Sequence, residues 1–181
     1  TSVNPDDPVL PDTPFDYDID FHVHVLNSIW GPPIDPTSIN AAITPEAATL
    51  GRVLFYDKKL SASNEVACAS CHKQEFGFAD DVAFSEGIDG TLTERNSPNI
   101  NDLSWNSSIF FGFETNFLLW DARESNLDEM VLQPITHEGE LGKDLDYLLE
   151  KLALTEYYPP LFQDAFGEPV ITADRIGIAM G

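Results

Sequence analysis

The pentapeptide Cys68-Ala69-Ser70-Cys71-His72 constrains this chain more than any other feature. Two cysteines separated by two residues present both sulfurs from one turn of backbone, and the following imidazole can swing beneath a metal held between them. That is the C-x-x-C-H spacing by which two thioethers and one histidine hold a c-type haem. Both cysteines of the chain are used here. Two other chemistries fit the same residues less well. A structural zinc site needs four ligands, and the candidate second pair is His22-Val23-His24, far upstream in a proline-rich segment. A thioredoxin-like pair belongs at a strand-to-helix junction, whereas residues 46 to 57 before the motif read as helix.

A cofactor of that size needs an enclosing domain, and 181 residues with 43% hydrophobic content supply about one. The net charge of −22 excludes nucleic acid as a partner, because phosphate binding needs a basic surface. It favours steering towards a basic partner. No apolar run reaches the roughly 20 residues that span a bilayer. Haem attachment through thioethers takes place outside the cytoplasm, so a periplasmic or otherwise exported protein is expected, although the chain shows no signal peptide.

The expected fold is mainly α, a cytochrome c-like haem domain with long irregular loops and an extended N-terminal arm. Residues 1–38 carry seven prolines among aspartates and no Lys or Arg, a composition that continues neither helix nor central strand. Within this arm Phe21, Val23, Val25, Leu26, Ile29 and Trp30 are expected to dock on the domain, while residues before about 15 could serve as a membrane tether. The haem domain is expected over 39–181. Its first helix opens on Thr44 as N-cap, with Pro45 and Glu46 in the first turn and Leu50, Val53 and Leu54 facing inward. Residues 77–116 read as irregular. Further helices are expected from a Ser125 N-cap, from about Asp144 with Leu145, Leu148, Leu149 and Leu152 on one face, over Pro160–Phe166 with a stop at Gly167, and from Thr172 with Ile176 and Ala179 inward. The last helix makes little more than two turns before Gly181, so the chain is expected to continue.

From about Leu50 to Leu141 the ordered segments L-G-R-V-L-F-Y-D-K-K-L-S (50–61), C-A-S-C-H (68–72), G-F-A-D (77–80), S-E-G-I-D-G (85–90), R-N-S-P (95–98), L-W-D-A-R (119–123), L-D-E-M-V-L-Q-P-I (127–135) and E-L-G (140–142) resemble the N-terminal haem domain of the bacterial di-haem cytochrome c peroxidase and MauG family. The resemblance implies haem c as cofactor, hydrogen peroxide as substrate, and electrons arriving from a small donor protein through a second haem domain. It also leaves room for a homodimer.

Residue by residue, the resemblance makes Cys68 and Cys71 the covalent attachments and His72 the proximal iron ligand. It makes Glu140 the pocket acid and base, able to move a proton between the two peroxide oxygens; in an acidic chain the alternative for a lone glutamate is a solvated surface residue. Pro134 matches a pocket-wall proline, Trp120 a tryptophan between the haems, and Asn96 a ligand of a calcium ion between the domains. Arg95 suits a haem propionate. Two positions depart from the family. Ile88 stands where classical members place a distal histidine, so that loop cannot close the sixth iron position. Met130 replaces a pocket glutamine and is either packing or an axial thioether. His137 is a further sixth-ligand candidate. The resulting expectation is the peroxidatic domain of an oxidoreductase. The alternatives are a non-enzymatic mono-haem electron carrier and a MauG-like enzyme that oxidises protein side chains.

Overall fold

The computed structural model describes residues 7–17, 44–101, 103, 118–142 and 144–181. Among them all regular structure is helical, and β pairing is confined to three isolated bridges. That rules out a strand-to-helix setting for the cysteine motif within the described residues. The helices are α1 (Pro45–Tyr56), α2 (Cys68–Cys71), α3 (Leu127–Met130), α4 (Gln133–Thr136), α5 (Leu145–Ala153), α6 (Tyr158–Phe166) and α7 (Ala173–Met180).

Local chemistry sets most helix starts. Thr44 Oγ1 accepts from Ala47 N (3.1 Å), Asp144 caps Tyr147 N (3.0 Å) and Thr172 caps Arg175 N (3.3 Å), each satisfying an orphan donor of a first turn. The second expected start moves by one residue. Asn126, not Ser125, caps α3 by accepting from Asp128 N and Glu129 N. The Glu124 carboxylate has already taken the Ser125 and Asn126 amides, which holds Ser125 in the preceding turn. Helix α6 begins two residues earlier than expected, because Pro159 and Pro160 both fit a first turn, where no amide hydrogen is needed. It ends at Gly167 in the left-handed region (φ 77°), as expected.

The core lies where α1 meets α6 and α7, with Leu50, Leu54, Leu148, Tyr158, Phe162 and Ile176 all fully buried. Helices α1 and α7 cross so closely that a Cβ on Gly51 would stand 1.8 Å from the Ala179 carbonyl oxygen. Val53 and Leu152 join the same core, so the inward faces expected for α1 and α5 hold.

The described part of the arm, 7–17, lies along α1. Asp7 pairs with Lys59 (3.2 Å), Phe15 sits under the Arg52 guanidinium (5.2 Å) and the Tyr17 hydroxyl meets Thr49 Oγ1 (3.5 Å). The patch from Phe21 to Trp30 and the His22 and His24 pair fall outside the described residues, as does most of 102–117. No helix among the described residues is long and apolar enough to cross a membrane.

Candidate haem site

Helix α2 is a single turn that carries both thiols. Ser70 Oγ accepts the Ala67 amide hydrogen (3.0 Å) and His72 N closes on the Cys68 carbonyl (2.9 Å), so the pentapeptide is locked into one compact turn. Both cysteines are free thiols. Burial pushes the Cys68 thiol up to about 12, and the neighbouring Cys71 and Glu140 charges add to it. Burial also raises Cys71, and the Asp80 and Glu140 charges reinforce it. The Glu140 charge therefore reaches both cysteines.

His72 is oriented for a metal. Its Nδ1 lies 3.1 Å from the Phe78 carbonyl and 3.1 Å from the Pro98 carbonyl. Carbonyl oxygens only accept, so Nδ1 carries the ring hydrogen and Nε2 keeps its lone pair, the tautomer a metal ligand requires. The loop that delivers these acceptors turns sharply, with Gly77 at φ 66° and Phe78 at φ 59°. For Phe78 this is a strained conformation, held by its amide on the Lys73 carbonyl (2.8 Å). Asp80 anchors the same loop. Its carboxylate accepts from Lys73 Nζ (2.7 Å), Ser85 Oγ (2.6 Å) and the Asp81 amide (2.8 Å). Burial opposes ionisation of Asp80, but the bonds from Lys73, Ser85 and Asp81 outweigh it and hold the carboxyl down at about 2.

A second wall is built from 85–91 and 134–142. Ile88 N donates to the Glu140 carbonyl (3.0 Å), Leu141 N to the Pro134 carbonyl (3.2 Å), and Ala62 N to the Leu141 carbonyl (2.8 Å). Ile88, Pro134 and Glu140 are thus brought together as one unit tied to the segment before the cysteines. The fit is close: a Cβ on Gly87 would lie 2.1 Å from the Gly139 oxygen, and one on Gly142 2.1 Å from Ile88 Cδ1. The Glu140 side chain is 37% exposed, with His137 Nδ1 3.6 Å from Oε1. His137 Nδ1 accepts from Gly139 N (3.2 Å), so the ring braces its own loop.

Trp120, Asn96 and Arg95 form a third group. Trp120 Nε1 donates to the Asn96 carbonyl (2.7 Å), yet the residue is 63% exposed, an apolar surface held rigidly at the rim. Asn96 Nδ2 donates to the Val82 carbonyl (2.7 Å) and the Asp80 carbonyl (3.3 Å), which leaves its Oδ1 as an acceptor. Arg95 pairs with Asp121 (2.9 Å), and Arg123 shares that carboxylate. Met130 ends α3, half-buried and outside the main core. The described residues hold no cluster of three or more His, Cys, Asp or Glu able to bind a metal. Sequence reasoning passed over Asp80 and Ser85 as individuals. Both sit inside segments that carry the family resemblance, G-F-A-D and S-E-G-I-D-G, but their pairing and the burial of Ser85 arise only in the folded chain.

The donor set fits a haem c. Two thiols sit on one turn, one imidazole has a free Nε2, and the loops after them leave the large apolar side chains Phe76, Val82, Phe84 and Leu92 exposed for a flat apolar group to cover.

Comparison with known proteins agrees. A family model described as di-haem cytochrome c peroxidase matches residues 45–181. The methylamine utilization protein MauG of Methylophilus methylotrophus is 34% identical over 145 residues, covering 80% of this chain and 41% of that protein. The cytochrome c551 peroxidase of Nitrosomonas europaea is 31% identical over 151 residues, covering 82% and 42%. Among solved structures, a MauG-like protein associated with microbial copper homeostasis superposes with a TM-score of 0.66 at 26% identity, covering 92% of this chain and 45% of that one. The chain spans about two fifths of the length of the curated relatives it matches.

Proposed function

This chain belongs to the di-haem cytochrome c peroxidase family, and we propose that it forms the peroxide-reacting haem domain of an exported, periplasmic two-haem oxidoreductase. The observation that carries this reading is the metal-ready His72 Nε2 on the cysteine turn, beside a loop unit in which Ile88, Pro134 and Glu140 are tied by backbone bonds to the segment before that turn.

In this reading Cys68 and Cys71 attach haem c and His72 ligates its iron. The bound haem supplies the iron at which hydrogen peroxide is reduced to water, with electrons drawn from a small donor protein through a second haem domain. Glu140 takes the proton from one peroxide oxygen and returns it to the leaving one, the work of a general acid and base. Pro134 and Ile88 hold the Glu140 backbone from two sides by the bonds described above, and Ile88 itself offers no ligand to iron. Met130, at the end of α3 and half-buried outside the main core, is left without a role as axial ligand in this reading. Trp120 is the exposed ring through which electrons pass from the second haem domain, and Asn96 Oδ1 is one donor to a calcium ion at that junction. Arg95 serves a haem propionate by exchanging it for Asp121. The identity to MauG supports a second reading in which the same pocket oxidises protein side chains.

The test uses protein matured in a periplasm. Intact mass should rise by one haem per chain, and the ferric spectrum should have high-spin character; a purely low-spin spectrum favours the electron carrier. Stopped-flow mixing with peroxide should show Glu140→Gln slowed by about 10²- to 10⁴-fold, the usual loss on removing a general acid and base. Equal rates would remove Glu140 from the mechanism.

A further inference from the structure

Behind the haem turn, two tyrosines converge on one carboxylate that the peroxide chemistry above does not use. Asp57 follows α1, and its Oδ1 caps the next turn by accepting from Lys59 N (2.8 Å). Its Oδ2 accepts from both the Tyr157 hydroxyl (2.5 Å) and the Tyr158 hydroxyl (2.6 Å). Lys59 Nζ donates to the Tyr157 oxygen (2.9 Å), and the two rings are 4.7 Å apart. Tyr158 is fully buried in the core against which Cys68 packs. Tyr157 is half-buried and looks towards the arm.

Burial first, and then the Asp57 charge, push the Tyr158 phenol far above its ordinary value; the same two causes raise Tyr157. Neither phenol ionises near neutral pH. Such a tyrosine gives up an electron readily only if its proton leaves at the same moment, and Asp57 Oδ2 stands one short hydrogen bond away to take it.

We propose that Tyr158 is a redox-active residue, an internal one-electron donor to the haem carried on Cys68 and Cys71, with Asp57 as its proton acceptor and Tyr157 as the outward relay. This rests on the functional reading above, with hydrogen peroxide as the oxidant. In the chain without its second haem domain, breaking the peroxide O–O bond takes two electrons, of which the haem would supply one and Tyr158 the other; the two protons of the peroxide leave with one oxygen as water, and the second oxygen stays at the haem. The Tyr158 O–H bond breaks, its proton passes to Asp57 Oδ2 to give the carboxylic acid, its electron passes towards the haem through the Cys68 side, and a neutral phenoxyl radical remains. Tyr157 then refills Tyr158: its electron crosses between the adjacent, tilted rings, Asp57 returns the first proton to Tyr158 and accepts the proton of Tyr157. The hole ends on the outer ring with the carboxyl singly protonated, so charge and protons balance.

The experiment mixes the ferric haem-loaded chain with one equivalent of peroxide, follows the Soret band, and freezes samples for electron paramagnetic resonance. The expected result is a free-radical signal that narrows when the protein is grown with ring-deuterated tyrosine. It should be lost in Tyr158→Phe and in Asp57→Asn, and peptide mass spectrometry should find an oxidised Tyr157 that disappears in Tyr158→Phe. Tyr157→Phe alters only the half-buried ring, so it tests the relay without opening the core: the signal should persist, confined to Tyr158. A normal Soret reaction with no tyrosyl signal, or with the signal intact in folded Tyr158→Phe, overturns the redox role and leaves the peroxidase reading standing. A haem that never reacts with peroxide overturns both.

Discussion

Replacing Gly87 with alanine adds one methyl group at the junction of the two walls. Gly87 has φ −92° and ψ −155°, a conformation open to any residue, so the perturbation is purely steric. The added Cβ would lie 2.1 Å from the Gly139 oxygen and 2.9 Å from the Glu140 oxygen, both rigid backbone atoms. Restoring ordinary contact at about 3.4 Å moves the 139–140 segment by roughly 1.3 Å. The Ile88 N to Glu140 O bond, 3.0 Å in the native chain, does not survive a shift of that size. The loss combines overpacking of about 1–3 kcal/mol with about 1 kcal/mol for the hydrogen bond, hence about 2–4 kcal/mol in all. Activity should fall further than stability suggests, because misplacing a catalytic group by about 1 Å can cost about 10²-fold in rate. Urea unfolding followed by circular dichroism measures the first effect, and stopped-flow reaction of the haem-loaded protein with peroxide measures the second. A Gly87→Ala protein with native stability and native peroxide rate would refute the coupling of the Ile88 loop to Glu140.

Gly51→Ala sets a gain of about 1 kcal/mol in helix propensity against a backbone clash that forces α1 and α7 apart; a net loss of about 2 kcal/mol should appear as a lower thermal midpoint, and an unchanged midpoint would contradict the close crossing. Asp80 has a folded-state value near 2, below its unfolded one. Its contribution is therefore present above about pH 4 and lost as pH falls from about 4 to about 2, so Asp80→Asn should flatten urea-midpoint titrations in that window. In haem-free protein the raised Cys68 thiol should resist alkylation at pH 8 far longer in the native state than in urea, as mass spectrometry can follow; equal rates would place that thiol in solvent.

Much of the site was legible because its chemistry is local. The spacing of Cys68, Cys71 and His72 forces one turn with three ligating atoms whatever surrounds it, and Thr44, Asp144 and Thr172 cap their own helices within three residues. The periodic leucines of α1 and α5 likewise announced their buried faces, since a 3.6-residue repeat has one inward side. The Asn126 cap was missed because Glu124 takes the Ser125 and Asn126 amides and keeps Ser125 in the preceding turn, a contact no periodicity encodes. Everything that joins distant segments belonged to the tertiary structure: the carbonyls of Phe78 and Pro98 that choose the His72 tautomer, the Ile88 amide on Glu140, and the two phenols on Asp57 a hundred residues away. The pentapeptide determined which cofactor atoms could be held. Only the folded chain, by closing long loops over buried polar groups that must each find a partner, decided which carboxylates and rings face them.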